Sequence, residues 1–380
     1  MSAPQIPNLL DSLRSGRGSH RGRGRGGRRN QSERGESHGE SQDRIVQQTD
    51  DDALNARVSA VDAGWLNDPF VKAFVTQDVE RRDTSIMRGT YIRTTAIDEL
   101  VERFLAINPD QPKQIVSLGA GSDTRFFRII SARSSIPLIY HEIDFPDNTR
   151  RKIAAIKRTP FLLSVITSHI ANQSQLTTSD DLTSLHSPVY NIHPLDLRSL
   201  ATKFPETESS TSLPELPNLS PTTPTLILSE CCLIYLTPDH ADSIVSNLTS
   251  KLIPDPTPVS IILYEPIRPD DSFGQMMISN LGRRGIVLQT LKKYWSLSSQ
   301  RERLKQYGFI TDQASADVQF IWEQWLSAED RSRRILDGEE EWKILAWHYC
   351  FVWGWRDGGG NLFSTAWKPM KTQVEERDLR

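Results

Sequence analysis

The chain has 380 residues, a formal net charge of -3 and three cysteines. That length suits one large α/β domain with insertions, and the small charge excludes a chain dominated by attraction to nucleic acid. No apolar run reaches membrane-spanning length and none near the start reads as a signal peptide, so a cytoplasmic home with no membrane partner is expected, with Cys231, Cys232 and Cys350 as buried thiols.

Residues 1–50 stand apart in composition. "RSGRGSHRGRGRGGRRN" is Arg/Gly low complexity, and "QSERGESHGESQD" after it holds almost no apolar residue. Such a stretch cannot bury enough surface to offset its ordering entropy, so a disordered tail is expected, followed by one domain over residues 51–380. An Arg-Gly run can bind RNA by counterion release and stacking; the other reading is a solvated tail with no specific partner.

Asp51 or Asp52 is placed to cap a helix through Val58 and Val61, and "NDPF" opens a further segment at Pro69. Tyr91, Ile97, Leu100, Val101, Phe104 and Leu105 recur at helical spacing until Pro109 and Pro112 intervene. Strands and helices then alternate. "QIVSLG", "PLIYHEIDFP", "VYNIHPLDLR", "TPTLILSECCLIYL" and "VSIILYEPI" read as strands, with "DNTRRKIAAIKR" and a helix capped by Thr237 between them. Short apolar strands separated by helices predict a parallel sheet covered on both faces. "EEWKILAWHYCFVWGW" reads as a helix running into an antiparallel edge strand, while "ANQSQLTTSDDLTSLHSP" and "PETESSTSLPELPNLSPTTP" read as surface insertions.

In such sheets ligands bind beyond the carboxyl ends of the strands. The first strand ends in Gly119-Ala120-Gly121, where missing side chains permit a sharp turn and close approach of a ligand. A dinucleotide fingerprint needs a third small residue where Thr124 stands, and no Walker lysine follows, so the turn alone leaves open a ligand or a plain connection. Asp144 ends the next strand, about one β-α unit on, where an acid accepts the two ribose hydroxyls of an adenosine. Asp196-Leu197 and Glu230 end two later strands. A buried Glu230 needs a cation, either on a ligand or on a protein arginine. Ribose acceptors without a pyrophosphate loop point to S-adenosylmethionine rather than NAD, with Arg93, assisted by Arg57, for the methionine carboxylate.

With these residues in place, the chain resembles the leucine carboxyl methyltransferases, enzymes that esterify the C-terminal leucine of the protein phosphatase 2A catalytic subunit. The resemblance is carried by "NDPF", "RGTYIRT", "QIVSLGAGSDTRFFR", "EIDFPDNTRRK", "LSECCLIYLTP", "YEPIRPDDSFGQMMISNL", "QRERLKQYGF" and "HYCFVWG", in that order from about residue 53 to 360. It implies a class I S-adenosylmethionine-dependent methyltransferase, a Rossmann-like sheet with helices on both faces, an N-terminal helical extension and inserted loops. It also implies cofactor contacts at Arg57, Arg93, Gly119, Asp144, Asp196, Leu197 and Glu230, and the phosphatase's C-terminal tail as partner of a monomeric enzyme.

A C-terminal carboxylate, with an ordinary pKa near 3.5, is already ionised at neutral pH and needs no general base. This agrees with a sequence in which nothing in the spacing pairs His141 with His193. No metal is required. Tyr235 and Arg93 are the candidates for orienting the acceptor, and Met276 and Met277 belong either to a partner-binding surface or to a core-facing helix. Competing readings are a carboxyl or O-methyltransferase of the same fold acting on a tRNA base or small molecule, and a non-catalytic RNA-binding protein using the Arg/Gly tail.

Overall fold

The structure, a computed structural model, describes residues 33–133, 135–201, 212–334 and 338–374. The Arg/Gly run lies outside the described residues, as do residues 205–211 of the second insertion. Four strands fall where continuous apolar runs place them: β1 (Lys113–Leu118), β2 (Leu138–Asp144), β6 (Thr225–Glu230) and β7 (Val259–Pro266). Every residue of β1 and β7 is buried, which is what a sheet covered on both faces demands.

Among the described residues the sheet has nine strands, in the order β3-β4-β5-β2-β1-β6-β7-β9-β8. β5 (Tyr190–Pro194), β2, β1, β6 and β7 run parallel. Chain order reverses between β1 and β6, so a crevice opens beyond their carboxyl ends, where Gly119 and Glu230 stand. The expected Rossmann-like sheet is present.

One expectation about its edges fails. β9 (Tyr349–Arg356) is antiparallel as anticipated but lies inside the sheet, between β7 and β8 (Asp312–Asp317). The strand "DQASAD" carries no large apolar residue, and it is held by pairing with β9 and by Gln373, whose amide donates to Asp317 at 3.1 Å. The first insertion supplies β3 (Thr177–Thr178) and β4 (Leu185–His186), which extend the other edge.

The N-terminal boundary also moves. Helix α1 spans Glu33–Asp62, so the expected border at residue 50 falls inside a helix and Asp51 and Asp52 are interior positions, not caps. Local propensity is weak here; contacts of Asp43, Asp50, Asp51 and Asp52 with distant parts of the chain take its place. Helix α2 (Thr84–Ala106) buries Tyr91, Ile97, Leu100, Val101, Phe104 and Leu105 as their spacing predicts. α3 (Arg125–Ser131) and α4 (Pro146–Arg158) follow β1 and β2. α5 (Pro160–Thr167) comes next, and α6 (Pro238–Asn247) is capped by Thr237, whose hydroxyl accepts from the His240 N–H at 3.2 Å.

Candidate active site

The β1–α3 turn requires its glycines for two different reasons. Gly119 (φ +63°) and Gly121 (φ +46°) are left-handed, a conformation that a side chain would strain. A Cβ on Gly119 would stand 2.6 Å from Cys232 Sγ, and one on Gly121 would run into the Asp50 carboxylate. The neighbours that crowd the turn are thus protein groups.

Those neighbours decide what the turn can hold. The Gly121 N–H donates to Asp144 Oδ2 at 2.7 Å, and the Ser122 N–H donates to Asp50 Oδ1 at 2.7 Å. The Ser122 hydroxyl donates to the same Asp50 oxygen at 2.8 Å. A bound phosphate would need these amides and would face two carboxylates instead. The turn is built against a pyrophosphate.

Asp144 is buried, and its Oδ1 accepts from the Phe145 N–H at 2.7 Å and Asn148 Nδ2 at 2.9 Å. Burial, with the Asp50 charge adding to it, raises its pKa above the ordinary aspartate value, although the Gly121 N–H works the other way. Burial likewise raises Asp50.

The basic side of the site rests on a lattice of acids. Arg57 Nε donates to Asp68 at 2.5 Å and Nη1 to Thr94 at 3.2 Å, while its buried Nη2 has no partner among the described residues. Asp68, from "NDPF", also accepts from the Thr124 hydroxyl at 2.5 Å, so that motif serves to aim Arg57 past the turn. Glu230 is held by Arg125 at 2.8 Å and by Arg93 Nε at 3.5 Å. Its cation is therefore supplied by the protein, and Glu230 orients Arg93, which remains partly exposed.

The turn, Asp50, Asp144, Arg57, Arg93 and Glu230 open onto one cavity of about 650 Å³. Arg57, Arg93, Gly119, Gly121, Asp144, Asp196, Leu197, Glu230 and Tyr235 all line it, so the structure brings together every site residue expected from the sequence. Asp196 is engaged by Arg198, which also reaches Asp43 of α1 at 2.6 Å, and Leu197 is buried beside it. On α7 (Ser272–Arg283), Met276 and Met277 both line the cavity, Met277 also packing with Ile234 and Leu291.

Sequence reasoning missed Asp50, placed inside the supposed tail, and two further cavity tyrosines, Tyr264 and Tyr349. A tyrosine directly following the apolar half of β7 was the one available signal. The histidine expectation is corrected too: His141 Nδ1 and His193 Nε2 stand 3.0 Å apart in the interior. β2 and β5 are neighbours in register, which no spacing along the chain reveals. The pair does not line the cavity.

A family model described as leucine carboxyl methyltransferase matches residues 38–249, more than half of the chain. The chain belongs to the leucine carboxyl methyltransferase family. It is 48% identical to leucine carboxyl methyltransferase 1 of Emericella nidulans, over 99% of this chain and 100% of that protein. Identity to the Schizosaccharomyces pombe protein of the same name is 36%, covering 81% of this chain and 93% of that protein, and to the Rattus norvegicus protein 33%, covering 83% and 91%. Among solved structures, a Haemonchus contortus methyltransferase is similar at a TM-score of 0.38 and 14% identity, over 68% of this chain and 52% of that one. Several family motifs prove to hold the fold: Glu265 of "YEP" pairs in the interior with Arg303 of "QRERL" at 2.7 Å, on helix α8 (Leu297–Gln306). Among the described residues no helix is long and apolar enough to cross a membrane.

Proposed function

We propose that this leucine carboxyl methyltransferase uses S-adenosylmethionine to esterify the C-terminal leucine carboxylate of the protein phosphatase 2A catalytic subunit. The observation that carries the reading is the polarity of one cavity. Arg57, whose buried Nη2 has no partner among the described residues, bonds Thr94 of α2, and Arg93 of α2 meets Glu230 at the end of β6; Asp144, Asp196 and Leu197 line it at and just beyond the ends of the neighbouring strands β2 and β5. The turn between them is closed to phosphate by Asp50 and Asp144.

These residues fit the cofactor. Arg57 and Arg93 have donors to spare for an amino-acid carboxylate, which a guanidinium grips better than an ammonium. Asp144 is the acceptor for ribose hydroxyls, and Leu197 supplies an apolar wall for the base. When bound, S-adenosylmethionine supplies an electrophilic methyl on its sulfonium.

The chain's own contribution is orientation and dehydration. The acceptor carboxylate arrives ionised, so no side chain must remove a proton. A carboxylate in water is a poor nucleophile, and a cavity walled by Phe273, Met276, Leu281 and Leu345 strips water from it. Holding the two reactants together contributes several kcal/mol more. The test is incubation with labelled S-adenosylmethionine and a phosphatase 2A core. Base-labile label at the phosphatase C-terminus is expected, and its absence beside an active control enzyme would overturn the reading.

A further inference from the structure

Tyr264 and Tyr349 sit in the cavity without a task. Their rings stack with centroids 5.5 Å apart and planes 17° from parallel. The antiparallel register explains the stack: Tyr264 faces Phe351 and Pro266 faces Tyr349, so the two tyrosines are diagonal neighbours on one face of β7 and β9. Both line the cavity, Tyr264 buried and Tyr349 partly buried. The Arg93 guanidinium lies 5.7 Å from the centre of the Tyr264 ring.

Among the described residues neither hydroxyl has a hydrogen-bond partner. Both open onto the cavity, where a ligand can supply the partner that a tyrosine hydroxyl usually finds. Tyr235, the residue expected to orient the acceptor, lines the same cavity from the short helical turn after β6 and stands outside this stack.

Resting on the carboxyl-methylation reading above, we propose that the Tyr264 and Tyr349 hydroxyls are the donors that grip the acceptor carboxylate. They hold one oxygen and leave the other to take the methyl. Arg93 stays with the cofactor's carboxylate, so two anions sharing one cavity are read by different groups. The O–C bond of the ester forms as the sulfonium C–S bond breaks, its electron pair staying on the sulfur of S-adenosylhomocysteine; no proton changes hands, because the carboxylate is already ionised and the phenols keep their hydrogens. Burial raises both phenol pKa values, which keeps both as O–H donors well into the alkaline range.

The substitutions Tyr264→Phe and Tyr349→Phe remove only the hydroxyls and retain the stacked rings. In the double variant, kcat for methylation of the phosphatase core should fall by about 10- to 100-fold, because a reacting oxygen misplaced by about 1 Å can cost on the order of 100-fold. Affinity for S-adenosylhomocysteine and the melting temperature should match the parent. A second arm titrates the S-adenosylhomocysteine-loaded protein with a short peptide ending in a leucine carboxylate and with its C-terminal amide. The parent should prefer the acid, and the double variant should lose that preference. If the parent fails to methylate the phosphatase yet shows a preference that the variant loses, the carboxylate grip stands and the protein acceptor is wrong. If methylation and the acid preference are both unchanged in the variant, or S-adenosylhomocysteine affinity falls in step with kcat, the grip is refuted.

Discussion

One oxygen of Asp50 accepts both the N–H and the hydroxyl of Ser122, at 2.7 and 2.8 Å, although 72 residues separate the two. Asp50 belongs to α1 and Ser122 to the turn after β1, so this contact seats the N-terminal helix on the cavity. It also redefines Gly121. A side chain there would displace the Asp50 carboxylate before it met any ligand.

A chain starting at residue 51 is therefore expected to bind S-adenosylmethionine more than tenfold more weakly, about 1.4 kcal/mol, than one starting at residue 33. The truncation removes Asp43, Val46, Thr49 and Asp50, all of which line the cavity. Equal affinities in titration calorimetry would mean that α1 is a passive cover.

Asp144→Ala should weaken cofactor binding by roughly 1.5 to 3 kcal/mol, the range for hydrogen bonds to a charged group. Asp144→Asn keeps an oxygen for the Gly121 N–H and should fall between the alanine variant and the parent. Were both variants to bind like the parent, Asp144 would be shaping the turn without touching ribose.

Arg93→Lys should weaken S-adenosylmethionine and S-adenosylhomocysteine alike, since both carry the amino-acid carboxylate. Adenosine, which lacks it, should bind the variant and the parent equally. An equal loss for all three ligands would show that the Arg93–Glu230 contact supports the fold and does not read the cofactor.

Acid should destabilise the protein through its histidines. Burial, with the neighbouring histidines adding to it, holds His141 well below its ordinary value of 6.5 and brings His193 down to about 3. The folded state thus binds fewer protons than the unfolded state in between. The stabilisation is fully present above pH 6.5 and is lost as the pH falls toward 3. Each histidine can add a slope of up to about 1.4 kcal/mol per pH unit. Urea unfolding at pH 7 and pH 5 should show a smaller decline for His193→Gln than for the parent; identical declines would place the acid sensitivity elsewhere.

The sequence by itself determined the central strands and the residues at their ends. β1, β2, β6 and β7 are buried on both faces, so their apolar runs are continuous and their ends are marked where polarity returns, at Gly119, Asp144 and Glu230. Only the tertiary structure decided which groups those ends meet. A carboxylate's neighbours come from other strands and helices, and composition reports how deeply a residue is buried but not what lies against it. Glu230 therefore read equally well as a ligand contact or an arginine partner until Arg125 and Arg93 were found beside it. The same limit hid β8, whose small and polar residues are held by β9; the pairing of His141 with His193 across adjacent strands; and α1, whose polar sequence becomes helix because Asp43, Asp50 and Asp52 bond to residues far along the chain.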